Sequence, residues 1–151
     1  MAFITYLVED NQVIVDNLVE TLQEIAHVRV TAHSATQAKA SKWLNLHDGD
    51  WHLAIVDLFL QEGNGLGVLA GCQQREPYQK VVVLTNYATP EIRGQAIALG
   101  ADRVFDKSQD IDELLAYCTE LKLDRSRAET FMDRTGATSS SSGKKSPPGL
   151  F

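Results

Sequence analysis

Acidic, hydroxyl and basic side chains stand at the ends of four short apolar segments of this 151-residue chain. Glu9 and Asp10 follow the first segment, Asp57 follows the second, Thr85 the third and Lys107 the fourth. Three carboxylates gathered in one place repel one another, and a hard divalent cation such as Mg²⁺ relieves that repulsion. With a lysine and a hydroxyl nearby, such a set suits phosphoryl transfer, in which a carboxylate can be the nucleophile.

These side chains can meet only if the apolar segments are parallel strands of one sheet. Short β-rich runs alternate with amphipathic stretches five times, which is typical of a doubly wound α/β fold. We therefore expect a flavodoxin-like (βα)5 fold with three α/β/α layers, and ligands of such sheets bind beyond the carboxyl ends of the strands. The predicted strands are Phe3–Val8, Val28–Thr31, Leu53–Val56, Val81–Leu84 and Arg103–Asp106.

Capping residues predict where the helices begin. Asp10 or Asn11 can cap the first helix, because a short side-chain oxygen there accepts from the free amides of the first turn. Ser34 and Gln37 have the spacing of a capping box before the second helix. Asp110 precedes the last helix, which shows one apolar stripe and few residues that would end it.

Composition divides the chain into three parts. Residues 1–122 form the predicted α/β domain, residues 123–134 extend its last helix, and residues 135–151 are rich in Ser, Gly and Pro. We expect this last part to be a disordered tail, because it has no apolar periodicity and cannot offset its ordering entropy by burial. A separate effector domain needs roughly 60 or more residues with a core of their own, so we expect no DNA-binding module here.

Charge and hydropathy narrow the range of partners. The formal net charge of -6 argues against nucleic acid as the main partner. No apolar run approaches the roughly 20 residues of a membrane span, and the start lacks a basic, cleavable leader. We therefore expect a cytoplasmic protein. Cys72 and Cys118 lie far apart without metal-ligand spacing, which predicts two buried, reduced thiols.

Several short motifs, in one order, resemble those of a known family. They are LVEDN at 7–11, IVDL at 55–58, Gly65-Leu66, VVVLTNYA at 81–88, and GAD at 100–102 with FDK at 105–107. Over about residues 3–122 the chain resembles a response regulator receiver domain, the CheY-like module of two-component signalling. A receiver is a signalling switch that catalyses only its own phosphorylation and dephosphorylation.

The resemblance implies a metal-dependent phosphoacceptor site. Asp57 would accept a phosphoryl group from a sensor histidine kinase or a phosphotransfer protein. Asp10 would bind Mg²⁺ (or Mn²⁺) directly, and Glu9 would bind it mostly through water. Asp57 and the backbone carbonyl of Phe59 would supply further metal ligands.

Two more side chains would act on the phosphoryl group itself. The resemblance implies that Thr85 hydrogen-bonds it and shifts inward on activation, and that Lys107 pairs with one of its oxygens. An output protein would read this shift at the face formed by the fourth helix, the fifth strand and the fifth helix. Many receivers form homodimers through the same face.

The chain departs from the usual pattern of the family around the lysine. Ser108 follows Lys107 where members usually have a cis proline. A cis bond to serine would cost roughly 2.5–4 kcal/mol, so we expect a trans bond. Gln61 also replaces a frequent proline. Val104 takes the position of the usual switch aromatic, with Phe105 beside it, so an aromatic rotamer switch at position 104 is not available.

Two bulky side chains stand where the family tunes the access of hydrolytic water. Phe59 and Tyr87 follow Asp57 and Thr85 by two residues each. Their size predicts slow dephosphorylation. Tyr87 is also a candidate for coupling Thr85 to the output face.

Other functions on the same fold would leave different signatures. A flavin site would place a hydroxyl- and glycine-rich loop after the first strand, where this chain has Glu9-Asp10-Asn11. A haloacid-type phosphatase would carry Asp-x-Asp, where this chain has Asp57-Leu58-Phe59. The glycines of residues 63–67 lack the spacing of a dinucleotide loop. A pseudo-receiver that binds partners without phosphorylation, and a receiver cut from a longer regulator, stay open as alternatives.

Overall fold

A computed structural model describes residues 3–135 of the chain, with side chains up to residue 130. Its strands are β1 (Thr5–Val8), β2 (Val30–Ser34), β3 (Leu53–Val56), β4 (Lys80–Thr85) and β5 (Arg103–Asp106). They form one sheet in the order β2-β1-β3-β4-β5, and every pairing is parallel. The helices are α1 (Gln12–Thr21) with a π-helical turn at Leu22–Ala26, α2 (Gln37–Leu46), α3 (Gly65–Gly71), α4 (Pro90–Ala98) and α5 (Ile111–Thr135).

The helices cover both faces of the sheet and enclose two apolar cores. Helices α1 and α5 pack on one face, around side chains such as Leu7 and Ile55. Helices α2, α3 and α4 pack on the other face, around side chains such as Val8 and Val56. Because both faces are buried, the central strands β1 and β3 are apolar at nearly every position instead of alternating. The predicted three-layer doubly wound fold is confirmed.

The second strand lies later in the chain than its sequence pattern predicts. In the pairing of β1 with β2, Val8 lies opposite Ser34, so Ser34 is the last strand residue. The prediction that Ser34 caps α2 was therefore wrong. Thr36 is the cap, and its hydroxyl oxygen accepts from the amide of Lys39 at 3.1 Å. The first helix is capped by Asn11, one of its two predicted caps, whose side chain accepts from two amides of the first turn.

Helix α5 continues well past the sheet. It ends at Thr135, so it spans residues 123–134, and Thr135, which composition assigned to the tail, is its last residue. The guanidinium of Arg125 lies over the ring of Tyr78 at 5.4 Å, so the end of α5 contacts the loop before β4. The division into domain, extension and tail stays a prediction, and residues 136–151 lie outside the described part.

Two other expectations concern the described residues. Cys72 and Cys118 are both free and buried, as the sequence predicts. Within residues 3–135, no helix combines the length and the apolar character that crossing a membrane would require.

Candidate functional site

Three carboxylates meet at the carboxyl edge of the sheet because β1 and β3 are neighbours in register. Val8 lies opposite Val56, so the residues that follow, Glu9 and Asp57, leave the sheet side by side. Asp10 comes one position later. Oxygen atoms from these three carboxylates all lie within 4.8 Å of one another. Glu9 and Asp57 are only 2% and 6% exposed, so the cluster is largely shielded from solvent.

Lys107 reaches the cluster from the end of β5. Its Nζ lies 2.7 Å from Oε1 of Glu9 and 3.1 Å from Oδ2 of Asp57. The backbone amide of Lys107 donates to the carbonyl of Thr85 at 2.9 Å, which ties the lysine to the end of β4. The structure thus brings Glu9, Asp10, Asp57 and Lys107 into one group, with Thr85 beside it.

The charges of this group do not balance. Burial raises the pKa of the Glu9 carboxyl above its ordinary value, and the charge of Asp57 adds to the rise, although the hydrogen bond from Lys107 opposes it. Burial by itself would lower the pKa of Lys107. The hydrogen bond to Glu9 and the charges of Asp57 and Glu9 outweigh burial and raise that pKa. Lys107 therefore stays an ammonium. Its one positive charge faces three carboxylates, and a divalent cation would offset the remaining negative charge.

The loop between β3 and α3 holds two of the carboxylates by backbone amides. The amide of Phe59 donates to Oδ1 of Asp57 at 3.3 Å. The amide of Gln61 donates to Oδ2 of Asp10 at 2.6 Å. A proline at position 61 has no amide hydrogen and could not make this bond. The departure from the family's usual proline therefore supplies a contact to an acidic residue of the site.

Gly65 is the point where α3 begins against the backbone of Asp57. A Cβ atom at this position would lie 2.3 Å from the carbonyl oxygen of Asp57 and 2.7 Å from Cα of Leu58. Neither backbone atom can move without displacing the acidic loop. Only glycine fits this approach.

Gly65→Ala is expected to destabilise the fold and to disturb the site. We expect a loss of about 2–3 kcal/mol in the free energy of unfolding, because the methyl group overpacks a buried contact. Urea denaturation measures this loss. The matched control is Gly71→Ala at the exposed end of the same helix, where the nearest atom lies 4.0 Å away. Equal stability of the two variants would contradict the close approach at Gly65.

Thr85 and the two bulky side chains lie along the same edge. Thr85 is fully buried at the end of β4, and its hydroxyl oxygen accepts from the amide of Tyr87 at 3.2 Å. The rings of Phe59 and Tyr87 meet edge to face, with centroids 4.9 Å apart. Both rings are about half exposed. The two aromatic residues thus form one exposed pair that links the loops after β3 and β4.

The loop after Lys107 is held by side-chain hydrogen bonds. The carboxylate of Asp106 accepts from the amide of Ser108 at 2.8 Å and from its hydroxyl at 2.6 Å. These bonds lower the pKa of Asp106. The Lys107–Ser108 peptide is trans, as predicted, like every peptide bond within the described residues. An Asp two residues before a Ser is a turn signal that could have revealed this loop from sequence.

Val104 and Phe105 point to opposite faces of the sheet. Phe105 is 1% exposed in the core under α1 and α5, with the guanidinium of Arg103 over its ring. Val104 lies in the other core, on the side of α4. Its carbonyl accepts from Arg93, a residue that sequence reasoning missed because no short motif contains it.

The sheet order, with a polar group at the carboxyl ends of β1, β3, β4 and β5, is that of the flavodoxin-like and CheY-like class of folds. The family model of the response regulator receiver domain matches residues 5–119. The chain therefore belongs to the response regulator receiver domain family, whose members are signalling switches of two-component systems.

Curated relatives are regulators that are longer than this chain. The photosynthetic apparatus regulatory protein RegA of Cereibacter sphaeroides is 31% identical over 108 residues, which are 72% of this chain and 56% of RegA. The alginate biosynthesis transcriptional regulatory protein AlgB of Pseudomonas aeruginosa is 31% identical over 118 residues, which are 78% of this chain and 25% of AlgB. The chain thus spans about half of the first relative and a quarter of the second.

Solved structures share the fold. A CheY-like receiver domain protein from Methanospirillum hungatei matches with a TM-score of 0.67 and 24% identity, covering 85% of this chain and 99% of that one. A chain of the CheX-CheY-BeF3-Mg complex from Borrelia burgdorferi matches with a TM-score of 0.67 and 15% identity, covering 76% of this chain and 84% of that one. At these identities the likeness shows the fold alone.

Proposed function

We propose that this receiver accepts a phosphoryl group on Asp57 in a Mg²⁺-dependent reaction. A carboxylate oxygen of Asp57 attacks the phosphorus of a phosphohistidine on a sensor kinase or phosphotransfer protein. The new O–P bond forms as the P–N bond breaks, and the imidazole nitrogen leaves with the bonding electron pair. The observation that carries the proposal is the convergence of Lys107 and a second carboxylate, Glu9, on the side chain of Asp57.

The donor set of the site fits a divalent metal. Oxygen ligands from Glu9, Asp10 and Asp57 lie close enough together to share one ion, and the carbonyl of Phe59 is a further candidate ligand. Hard oxygen donors of this kind suit Mg²⁺ or Mn²⁺. When bound, the metal supplies positive charge to the transferring phosphoryl oxygens.

The chain's own groups supply the remaining charge and hydrogen bonds. The ammonium of Lys107, whose pKa is raised, pairs with a phosphoryl oxygen and stabilises the charge of the product. The Thr85 hydroxyl now accepts from the Tyr87 amide, and it donates to the phosphoryl group after the loop shifts. The trans loop at Ser108 leaves Lys107 within reach of Asp57, which favours phosphorylation over a pseudo-receiver.

Intact-mass measurement after incubation with acetyl phosphate and Mg²⁺ tests this function. We expect a gain of one phosphoryl group, and we expect EDTA to prevent it because the acidic cluster then lacks its cation. No gain in mass in the presence of Mg²⁺, together with no measurable binding of Mg²⁺, would contradict the proposal and indicate a pseudo-receiver.

Output is proposed to run through a protein partner. The proposed docking surface is the face of α4, β5 and α5, which an output protein or a second copy of the chain would bind. Neither nucleic acid nor a membrane is proposed as a direct partner. Cytoplasmic location and action as a stand-alone regulator stay predictions. The outputs of RegA and AlgB belong to longer proteins, of which this chain spans only a part.

Removing the aromatic pair is expected to shorten the lifetime of the phosphorylated protein. Phe59 and Tyr87 contact each other beside the site, so Phe59→Ala with Tyr87→Ala opens a path for hydrolytic water. We expect dephosphorylation to become several-fold faster, measured by the decay of the phosphorylated mass. The exposed Leu46→Ala, at the end of α2, is the control. An unchanged decay in the double variant would show that the pair does not limit water.

A further inference from the structure

Arg93, in the first half of α4, joins three parts of the fold. Its Nε donates to the backbone carbonyl of Ala88 at 3.1 Å, and its Nη1 donates to that of Val104 at 3.0 Å. Its Nη2 lies 3.5 Å from Oδ2 of Asp110. Together, the contacts of Arg93 with Ala88, Val104 and Asp110 form the Arg93 bridge.

Two of the acceptors in the bridge lie close in sequence to the phosphoacceptor site. Ala88 lies in the β4–α4 loop, three residues after Thr85. Val104 lies in β5, three residues before Lys107. The bridge therefore connects the loop that follows Thr85 with the strand that precedes Lys107.

Asp110 fixes the guanidinium from a third side. Its Oδ2 also accepts from the amide of Asp106 at 2.8 Å, and its carbonyl accepts from the amide of Leu114 in the first turn of α5. The Arg93 side chain is thus held by β5 and by the start of α5, and both lie outside the β4–α4 loop.

We propose that Arg93 is a positioning residue that holds the β4–α4 loop in its resting place and opposes the inward shift of Thr85. This inference rests on the proposed function, because that shift answers a phosphoryl group on Asp57. The guanidinium cannot follow the loop while β5 and α5 hold it. Movement of the loop toward Asp57 therefore breaks the bond from Arg93 to Ala88.

The link from Arg93 to β5 runs through the backbone and not through the side chain of residue 104. Val104 is 8% exposed in the core on the side of α4 and has no ring that could change its rotamer. Its carbonyl oxygen remains available to Arg93. The connection between the loop and β5 is therefore a pair of backbone carbonyls bridged by one guanidinium.

Beryllofluoride, a mimic of the phosphoryl group, tests this role in the presence of Mg²⁺. Removing a contact that exists only in the resting state shifts the population toward the other state, and a ligand of that state then binds more tightly. We expect Arg93→Met to bind beryllofluoride at least about fivefold more tightly than the parent, the lower end of typical coupling factors. Loss of a positive charge near an anion would by itself weaken binding, so charge cannot explain this result.

Three further variants separate the bridge from other effects. Arg93→Lys keeps the charge but lacks the planar fork, so we expect tightening similar to that of Arg93→Met. Asp110→Asn keeps an acceptor for the Asp106 amide and weakens the ion pair, so we expect a smaller tightening even if Arg93→Met fails to fold. Arg127→Met, on the exposed side of α5, is expected to leave binding unchanged.

Hydrogen exchange at the Tyr87 amide gives a second readout. Without beryllofluoride, we expect this amide to exchange faster in Arg93→Met than in the parent. Unchanged or weaker beryllofluoride binding by the folded variants would overturn the role of Arg93. If the parent itself binds no beryllofluoride, the proposed function fails instead. Hydrogen exchange at the Tyr87 amide then tests whether Arg93 holds the β4–α4 loop. Equal exchange rates in Arg93→Met and the parent would overturn that role.

Discussion

Asp57→Asn is expected to abolish the gain of a phosphoryl group from acetyl phosphate. An amide is a far weaker nucleophile than a carboxylate, and the neighbouring Glu9 is engaged with Lys107 at 2.7 Å. Intact mass at saturating Mg²⁺ measures the effect, and we expect no phosphorylated species within the detection limit. The control is Asp16→Asn, an exposed carboxylate on α1, which is expected to be phosphorylated like the parent.

The same variant separates chemistry from folding. Asparagine keeps one acceptor oxygen, for the Phe59 amide, while Lys107 loses its contact with Asp57 and keeps its pair with Glu9. The change also removes one of three close negative charges. In the absence of divalent cations, we therefore expect its free energy of unfolding to be no lower than that of the parent. A phosphorylated Asp57→Asn would place the acceptor on another residue, and an unfolded one would show that the carboxylate is needed for the fold.

Arg75→Met is expected to cause a large loss of stability at the opposite edge of the sheet, where the strands begin. The Arg75 side chain donates to the carbonyls of Gln79, Cys72 and Gly100 at 2.7–2.9 Å. It also pairs with Asp102 at 2.9 Å, and only 12% of it is exposed. This one guanidinium joins the segments that follow α3 and α4 to the start of β4.

The expected loss is about 3–4 kcal/mol in the free energy of unfolding, measured by urea denaturation. Methionine keeps most of the volume but leaves three carbonyls without this donor and the Asp102 carboxylate without its cation, although the Val81 amide still donates to Asp102. Breaking a largely buried ion pair has a cost in this range. That is a large share of the roughly 5–15 kcal/mol of a typical domain.

An exposed arginine gives the matched control for this loss. Arg127 pairs with Asp124 at 3.6 Å while about three quarters of its side chain is exposed. Arg127→Met is therefore expected to change stability by less than about 0.5 kcal/mol. A loss below 1 kcal/mol for Arg75→Met, or similar losses for the two variants, would contradict the importance of the buried guanidinium.

Sequence predicted the candidate site better than it predicted the ends of the elements. Asp57 follows an apolar run of four residues, and parallel strands bring all their carboxyl ends to one edge. Its proximity to Glu9 and Lys107 could therefore be predicted from the sequence. The predicted start of α2 at Ser34 was wrong because Ser34 pairs with Val8 across the sheet and therefore belongs to β2. A local capping pattern carries no information about that pairing.

The order of elements, the parallel sheet and the acidic residues at its edge were determined by the sequence alone. They follow from local hydrophobic runs and from the residue that ends each run. Only the tertiary structure decided the arginine contacts, since Arg93 meets acceptors 11 and 17 residues away and Arg75 meets acceptors 25 and 27 residues away. Such contacts depend on how each helix packs against the sheet. Hydrophobic periodicity predicts which face of a helix is buried, but it does not predict which carbonyl a side chain contacts.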